Sequence, residues 1–107
     1  MLYIDDDQNI TLTRGDSATF GLTVKQNTSS YDFSNDLVVF TVKKNVNTDA
    51  FLIQKTFSNG VINLTPSDTN NLNYGTYYYD VQLQNQSNGV YTVIPPSKFI
   101  VASEVTF

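Results

Sequence analysis

Side chains that could perform catalysis are few in this sequence of 107 residues. It contains no histidine and no cysteine, which excludes Ser-His and Cys-His nucleophiles, thiolate and imidazole metal ligands, and disulfides. A carboxylate pair could act as general acid and base, but the acidic residues fall in turns or on outward strand faces, without apolar surroundings that would separate their pKa values. We therefore expect a protein that is not an enzyme and that carries no cofactor.

Two short motifs near the N-terminus resemble ligand sites but fit turns better. Asp5-Asp6-Asp7, followed by Asn9, offers oxygen ligands for Ca²⁺, yet it lacks the spaced acidic residues of a calcium loop. Arg14-Gly15-Asp16 spells a tripeptide that integrins recognise on exposed loops, but Gly15 also suits a tight connection at positive φ. We predict a solvated turn at the first motif, a tight turn at the second, and no metal site.

Four tyrosines near position 77 are the candidate ligand-binding aromatics. In a strand that begins at Thr76, alternation directs Tyr77 and Tyr79 inward. Only Tyr74 and Tyr78 then remain to stack on a ligand such as a sugar.

The charge distribution argues against nucleic acid and membranes as partners. The formal net charge is −4, and the six Lys and Arg residues are scattered, so no basic stripe can neutralise phosphates. No apolar run approaches the ~18 residues that a spanning helix needs, and residues 1–9 lack the features of a signal peptide.

Alternating apolar and polar residues predict strands along most of the chain. Asn59-Gly60 and Asn88-Gly89 predict hairpin turns, Thr65-Pro66 predicts a short helix, and Pro95-Pro96 should end a strand. The predicted strands span residues 10–13, 17–25, 37–43, 51–57, 61–64, 76–84, 90–94 and 98–105.

This pattern predicts one domain, residues 1–107, with an all-β fold. About seven or eight short strands with regular turns are typical of an immunoglobulin-like antiparallel β-sandwich. The run from Asn73 to Tyr77 resembles the entry to the penultimate strand of such domains. Tyr77 would be the corner tyrosine, with a buried ring and a hydroxyl bonded to nearby backbone.

The strand Leu37–Lys43 is apolar on both faces. Val38, Phe40 and Val42 form the better core face, which leaves Leu37 and Val39 on the other. A strand of this kind is central and covered on both sides, or covered by a partner. Leu37 and Val39, with Tyr74 and Tyr78, are therefore the candidate interaction residues.

The order of motifs resembles the small β-sandwich domains of tailed-phage structural proteins. It is most similar to the N-terminal domain of upper baseplate proteins in phages of Gram-positive bacteria. The resemblance covers nearly the whole chain, and its motifs are Ile10 to Phe20, Val38 to Lys43, Leu64 to Thr69, Tyr77 to Leu83 and Val101 to Thr106.

The resemblance implies a virion component of the tail or baseplate, made in the cytoplasm of the bacterial host. Its partners would be other phage structural proteins or a second copy of the chain, as in a homo-oligomer. Two alternatives stay open, a carbohydrate-binding module for a host surface glycan and a host-directed accessory factor. The chain would be either a short accessory protein complete in itself or a fragment of a longer one.

Overall fold

The structure is a computed structural model that describes residues 2–26, 29–33 and 35–103. Its fold is almost entirely β. One helical turn, α1, spans Pro66–Thr69. Among the described residues, no helix has the length and apolar character needed to cross a membrane. The described residues form ten strands: β1 Leu2–Ile4, β2 Ile10–Thr13, β3 Ala18–Gly21, β4 Val24–Gln26, β5 Ser29–Tyr31, β6 Leu37–Lys43, β7 Ile53–Thr56, β8 Val61–Leu64, β9 Gly75–Gln84 and β10 Val90–Ala102.

The strands form one large sheet and two strand pairs. The large sheet has six strands in the order β1-β2-β10-β9-β6-β7, while β3 pairs with β8 and β4 with β5. Each pairing is antiparallel except that of β2 with β10, which is parallel. The predicted all-β sandwich is confirmed. The parallel pairing of β2 with β10 was not predicted.

The core lies between the β3–β8 pair and one face of the large sheet. Alternation along each strand directs every second apolar side chain into this space. Phe40 is at its centre, with its ring centroid 5.2 Å from that of Tyr79 and 6.1 Å from those of Phe20 and Phe99. Since Phe20 belongs to β3 and the other rings to the large sheet, this aromatic cluster joins the two layers.

The prediction that Pro95-Pro96 ends a strand is wrong. Strand β10 continues from Val90 to Ala102, and its register with β9 shifts between Ile94 and Ser97. Proline lacks an amide hydrogen, so a sheet accepts it where a bulge already interrupts the ladder. The two prolines thus form an irregularity within a long strand.

The predicted pairing of residues 51–57 with residues 61–64 is also wrong, although the turn itself forms. Asn59 and Gly60 both have positive φ, and the backbones of Ser58 and Val61 bond to each other. Beyond that bridge the strands separate, because β7 pairs with β6 in the large sheet and β8 pairs with β3. The turn therefore carries the chain from one layer of the sandwich to the other.

The strand predicted at residues 17–25 divides into β3 and β4. The Leu22 amide donates to the Gly60 carbonyl oxygen at 2.8 Å, after which the chain leaves β8 and pairs with β5. Strands β1 and β5 were not predicted, and two predicted strands merge into β10. With the division of residues 17–25, the described residues therefore form ten strands, where about seven or eight were predicted. The end of the last predicted strand, beyond residue 103, lies outside the described residues.

Two tyrosines of β9 tie their strand to neighbouring loops. The hydroxyl of Tyr77 donates to the Asn73 carbonyl oxygen at 2.8 Å, as predicted, but its ring is only half-buried. The buried ring is that of Tyr79, whose hydroxyl donates to the carbonyl oxygen of Gln8 in the β1–β2 loop. Burial, with a smaller effect from the charge of Asp5, raises the pKa of Tyr79 to about 12.

The Tyr79→Phe variant should be less stable by about 1–2 kcal/mol, because the Gln8 carbonyl loses its donor. Its stability should also depend less on alkaline pH. In the wild type the Tyr79 contribution is complete below pH 10 and disappears as the pH rises through about 12, since the unfolded chain releases this proton first. Urea melts at pH 8, 10 and 11 measure both effects. A Tyr77→Phe variant that costs more than Tyr79→Phe would contradict this assignment.

Candidate functional site

The outer face of the large sheet, the side turned away from β3 and β8, gathers most of the predicted interaction residues. In the register of β6 with β9, Thr41 lies opposite Asp80, Lys43 opposite Tyr78, and Val39 opposite Gln82. On the other side of β6, Thr41 faces Gln54 of β7. A row of polar side chains, Gln54, Thr41 and Asp80, thus crosses three strands at a spacing of about 4.8 Å per strand.

Part of this face is concave, and we name that part the Asp80 cleft. It has a volume of about 260 Å³. The β6–β7 loop forms one wall, and Pro96, at the register shift in β10, lies on the other side. Besides Pro96 its lining comprises Thr41, Lys43, Asn45, Val46, Asp49, Phe51, Gln54, Tyr78, Tyr79, Asp80 and Gln82.

Local hydrogen bonds shape the loop that forms the wall. The Asn47 amide donates to the Asn45 side-chain oxygen at 3.0 Å, and the Ala50 amide donates to the Thr48 hydroxyl at 3.3 Å. The Leu52 amide returns the chain to the sheet by donating to the Val42 carbonyl oxygen at 2.7 Å. These turns place Phe51 in the lining of the cleft, with 54% of its surface exposed.

The electrostatics of the cleft centre on Asp80. Burial raises the pKa of its carboxyl group above the ordinary value, and the nearby charge of Lys43 acts in the opposite direction. Asp80 lies on an outward strand face, where the sequence analysis places acidic residues, and burial nevertheless raises the pKa of this one carboxyl group. An outward strand face became partly buried because the β6–β7 loop and Pro96 border it.

A second depression, the Leu37 depression, adjoins the cleft at Thr41, Gln54 and Gln82. Its apolar lining includes Leu37, Val39 and Val90, and its volume is about 240 Å³. Leu37 is 49% exposed and Val90 is 59% exposed, while Val39 is half-buried. The strand β6 is therefore central in the sheet, yet the described residues leave the Leu37 end of its outer face largely uncovered.

Tyr74 and Tyr78 do not share a surface in the structure. Tyr78 lines the Asp80 cleft, whereas Tyr74 precedes β9 and lies under the guanidinium of Arg14, 4.4 Å from its ring centroid. The outer face therefore brings together three of the four predicted residues, Leu37, Val39 and Tyr78.

The Arg14-Gly15-Asp16 motif is docked against α1. Gly15 has a φ of +83°, and its amide donates to the hydroxyl of Thr69, a fully buried residue, at 2.8 Å. The Asp16 amide closes the turn on the Thr13 carbonyl oxygen at 3.1 Å, and all three motif residues are partly buried. The motif thus has the tight-turn geometry that the sequence predicted.

The Asp5-Asp6-Asp7 segment forms the turn between β1 and β2. The Asp5 carboxylate accepts the amide hydrogens of Asp7 and Asn9, each at 2.9 Å, and the Asn9 side-chain amide at 3.1 Å. The bond from the Asn9 backbone, above all, holds the pKa of Asp5 below its ordinary value. Within the described residues, no cluster of three or more acidic side chains could hold a metal ion.

The sequence did not single out Asp80, Gln54, Gln82 or Phe51 as site residues. A signal existed for two of them, since alternation in β9 places Asp80 and Gln82 on the same face as Tyr78. No comparable signal existed for Gln54 and Phe51, because their position depends on the pairing of β7 with β6.

Comparison with known protein families, curated proteins and solved structures found no match for the chain.

Proposed function

We propose that the protein is a non-enzymatic structural or accessory component of a phage tail or baseplate and that it works through protein–protein contacts. The observation that carries this proposal is the Leu37 depression, an apolar area on the outer face of a central strand. Exposed apolar side chains that adjoin one another mark contact surfaces more often than scattered ones do. The resemblance of the motif order to upper baseplate domains supports a phage origin.

The shape of the large sheet supports the same role. Strand β6 presents Leu37 on the outer face, and Val90 of β10 lines the same depression across β9, so a flat partner surface can contact both strands at once. Polar side chains, Gln54, Gln82 and Gln84, surround the apolar side chains of the depression. An apolar centre with a polar rim is the usual arrangement of a protein interface.

Substitution of Leu37 by lysine tests the proposal in virions. We expect Leu37→Lys to lower the amount of this protein per virion by about tenfold or more, because a charge at the centre of an apolar contact must be desolvated without a partner. Mass spectrometry of purified virions measures the amount, and immunogold labelling should place the wild-type protein at the tail. The purified variant should stay folded, since the side chain is half exposed.

Val61→Lys is the matched control. Val61 is also an exposed apolar strand residue, but it belongs to β8 in the other layer, so its replacement should leave incorporation unchanged. Virions without this protein would refute the phage assignment. Equal incorporation of both variants would place the contact elsewhere on the molecule.

A further inference from the structure

The Asp80 cleft has the features of a ligand site, which the docking proposal does not use. The carboxylate of Asp80, in its lining, is partly buried, and burial raises its pKa. In the described part of the chain, no hydrogen bond or ion pair satisfies the Asp80 carboxylate. A partly desolvated acceptor to which no described residue donates is energetically unfavourable, a cost that the charge of Lys43 offsets only in part, and a ligand that donates hydrogen bonds would lower it.

The polar groups around Asp80 suit a ligand with several hydroxyl groups. A carboxylate accepts hydrogen bonds at both oxygens, and the amides of Gln54 and Gln82 can each donate and accept. Gln54 already donates to the Thr41 hydroxyl at 3.3 Å, and both side chains line the cleft. Alternating donors and acceptors of this kind complement adjacent hydroxyls on a ring.

The charges in the lining indicate a ligand without negative charge. Asp49 and Asp80 oppose a single cation, Lys43, so the lining carries a net negative charge. This balance disfavours phosphate, sulfate and carboxylate groups, which would meet a carboxylate at the centre of the site.

The apolar part of the cleft suits the carbon face of a sugar ring. Phe51 and Tyr78 supply aromatic surface beside the polar floor. The volume, about 260 Å³, is slightly below the usual range for small-molecule sites, roughly 300–1,000 Å³. The cleft therefore has room for about one ring.

We propose that the Asp80 cleft binds the terminal unit of a neutral saccharide. In this arrangement Asp80 accepts hydrogen bonds from two ring hydroxyls, Gln54 and Gln82 bond to neighbouring hydroxyls, and Tyr78 contacts the carbon face. The site shares Gln54 and Gln82 with the rim of the Leu37 depression, but Asp80 and Tyr78 line the cleft and not the depression, so either proposal can fail without the other.

Binding to a glycan array, followed by calorimetry with the best neutral oligosaccharide, tests this site. We expect Asp80→Asn and Tyr78→Ala each to weaken binding by about tenfold or more, since each removes one of the principal contacts. Asp6→Asn and Tyr3→Ala are the matched controls, because both residues are exposed and lie away from the cleft, and they should bind as the wild type does.

The Asp80→Asn variant tests saccharide binding at the cleft even if the Tyr78→Ala variant is less stable than the wild type. The asparagine has the same shape, and because burial disfavours the charged form of Asp80, the variant should melt at the wild-type temperature or above it. A folded Asp80→Asn variant that binds with wild-type affinity would overturn the proposal. So would an array signal confined to anionic glycans, or no binding to any neutral saccharide at about 1 mM.

Discussion

Replacing Phe40 by alanine is expected to lower the free energy of unfolding by about 3–5 kcal/mol. The side chain is fully buried, and its ring contacts aromatic rings from both layers of the sandwich. Its removal would leave a cavity at the point where Phe20 meets the large sheet. Because natural domains are stable by only about 5–15 kcal/mol, the variant should unfold at a much lower urea concentration.

Phe51→Ala is the control for this substitution. Phe51 has the same side chain but is 54% exposed on the wall of the Asp80 cleft, so its replacement should change stability by about 0.5 kcal/mol or less. Urea titrations followed by circular dichroism compare the two. Similar losses for both variants would show that the aromatic cluster does not join the layers.

Replacing Thr69 by valine is expected to cost about 1–3 kcal/mol although the two side chains have nearly the same shape. The hydroxyl of Thr69 accepts the Gly15 amide hydrogen at 2.8 Å, and the residue is fully buried at the end of α1. Valine would leave that amide without an acceptor. Hydrogen exchange should then show faster exchange of the Gly15 amide, which reports loosening of the β2–β3 turn.

Two further variants separate the hydrogen bond from packing. Thr69→Ser retains the hydroxyl and should keep the slow exchange of Gly15, with only a smaller loss of stability from the missing methyl group. Thr92→Val makes the same chemical change at an exposed position of β10 and should be nearly neutral. An unchanged exchange rate in Thr69→Val would rule out the hydrogen bond as the restraint on this turn.

Local chemistry in the sequence determined much of the fold. Alternation identified the buried side chains of β6 and β9 because side chains of a strand point to opposite faces in turn. Asn88-Gly89 predicted the β9–β10 hairpin, and Thr65-Pro66 predicted α1. At α1 the Thr65 amide donates to the Asp68 carboxylate at 2.7 Å, an interaction that depends on neighbouring residues alone.

The absence of histidine and cysteine likewise limited the chemistry from the start, since those side chains are needed for many catalytic and metal sites. The sequence pattern also identified the apolar outer residues Leu37 and Val39, because β6 is apolar at successive positions. It could not say whether other parts of the chain cover them. That depends on where loops and neighbouring strands lie.

Only the tertiary structure decided which strands pair. Asn59-Gly60 fixes a turn of four residues, but burial of Ile53 on the large sheet and of Ile62 and Leu64 on the β3–β8 pair sends the flanking strands into different layers. Pro95-Pro96 looked like an end because proline interrupts a ladder, yet the pairs on both sides of the bulge hold β10 together.

The Asp80 cleft depends on the same long-range pairing. Thr41 and Asp80 are distant in the sequence and become neighbours because β6 pairs with β9, and Gln54 joins them because β7 pairs with β6. A local pattern records which face a side chain is on, but the choice of neighbouring strand comes from burial summed over the whole core. For that reason the sequence identified Tyr78 as a candidate, and the structure alone supplied the groups that surround it.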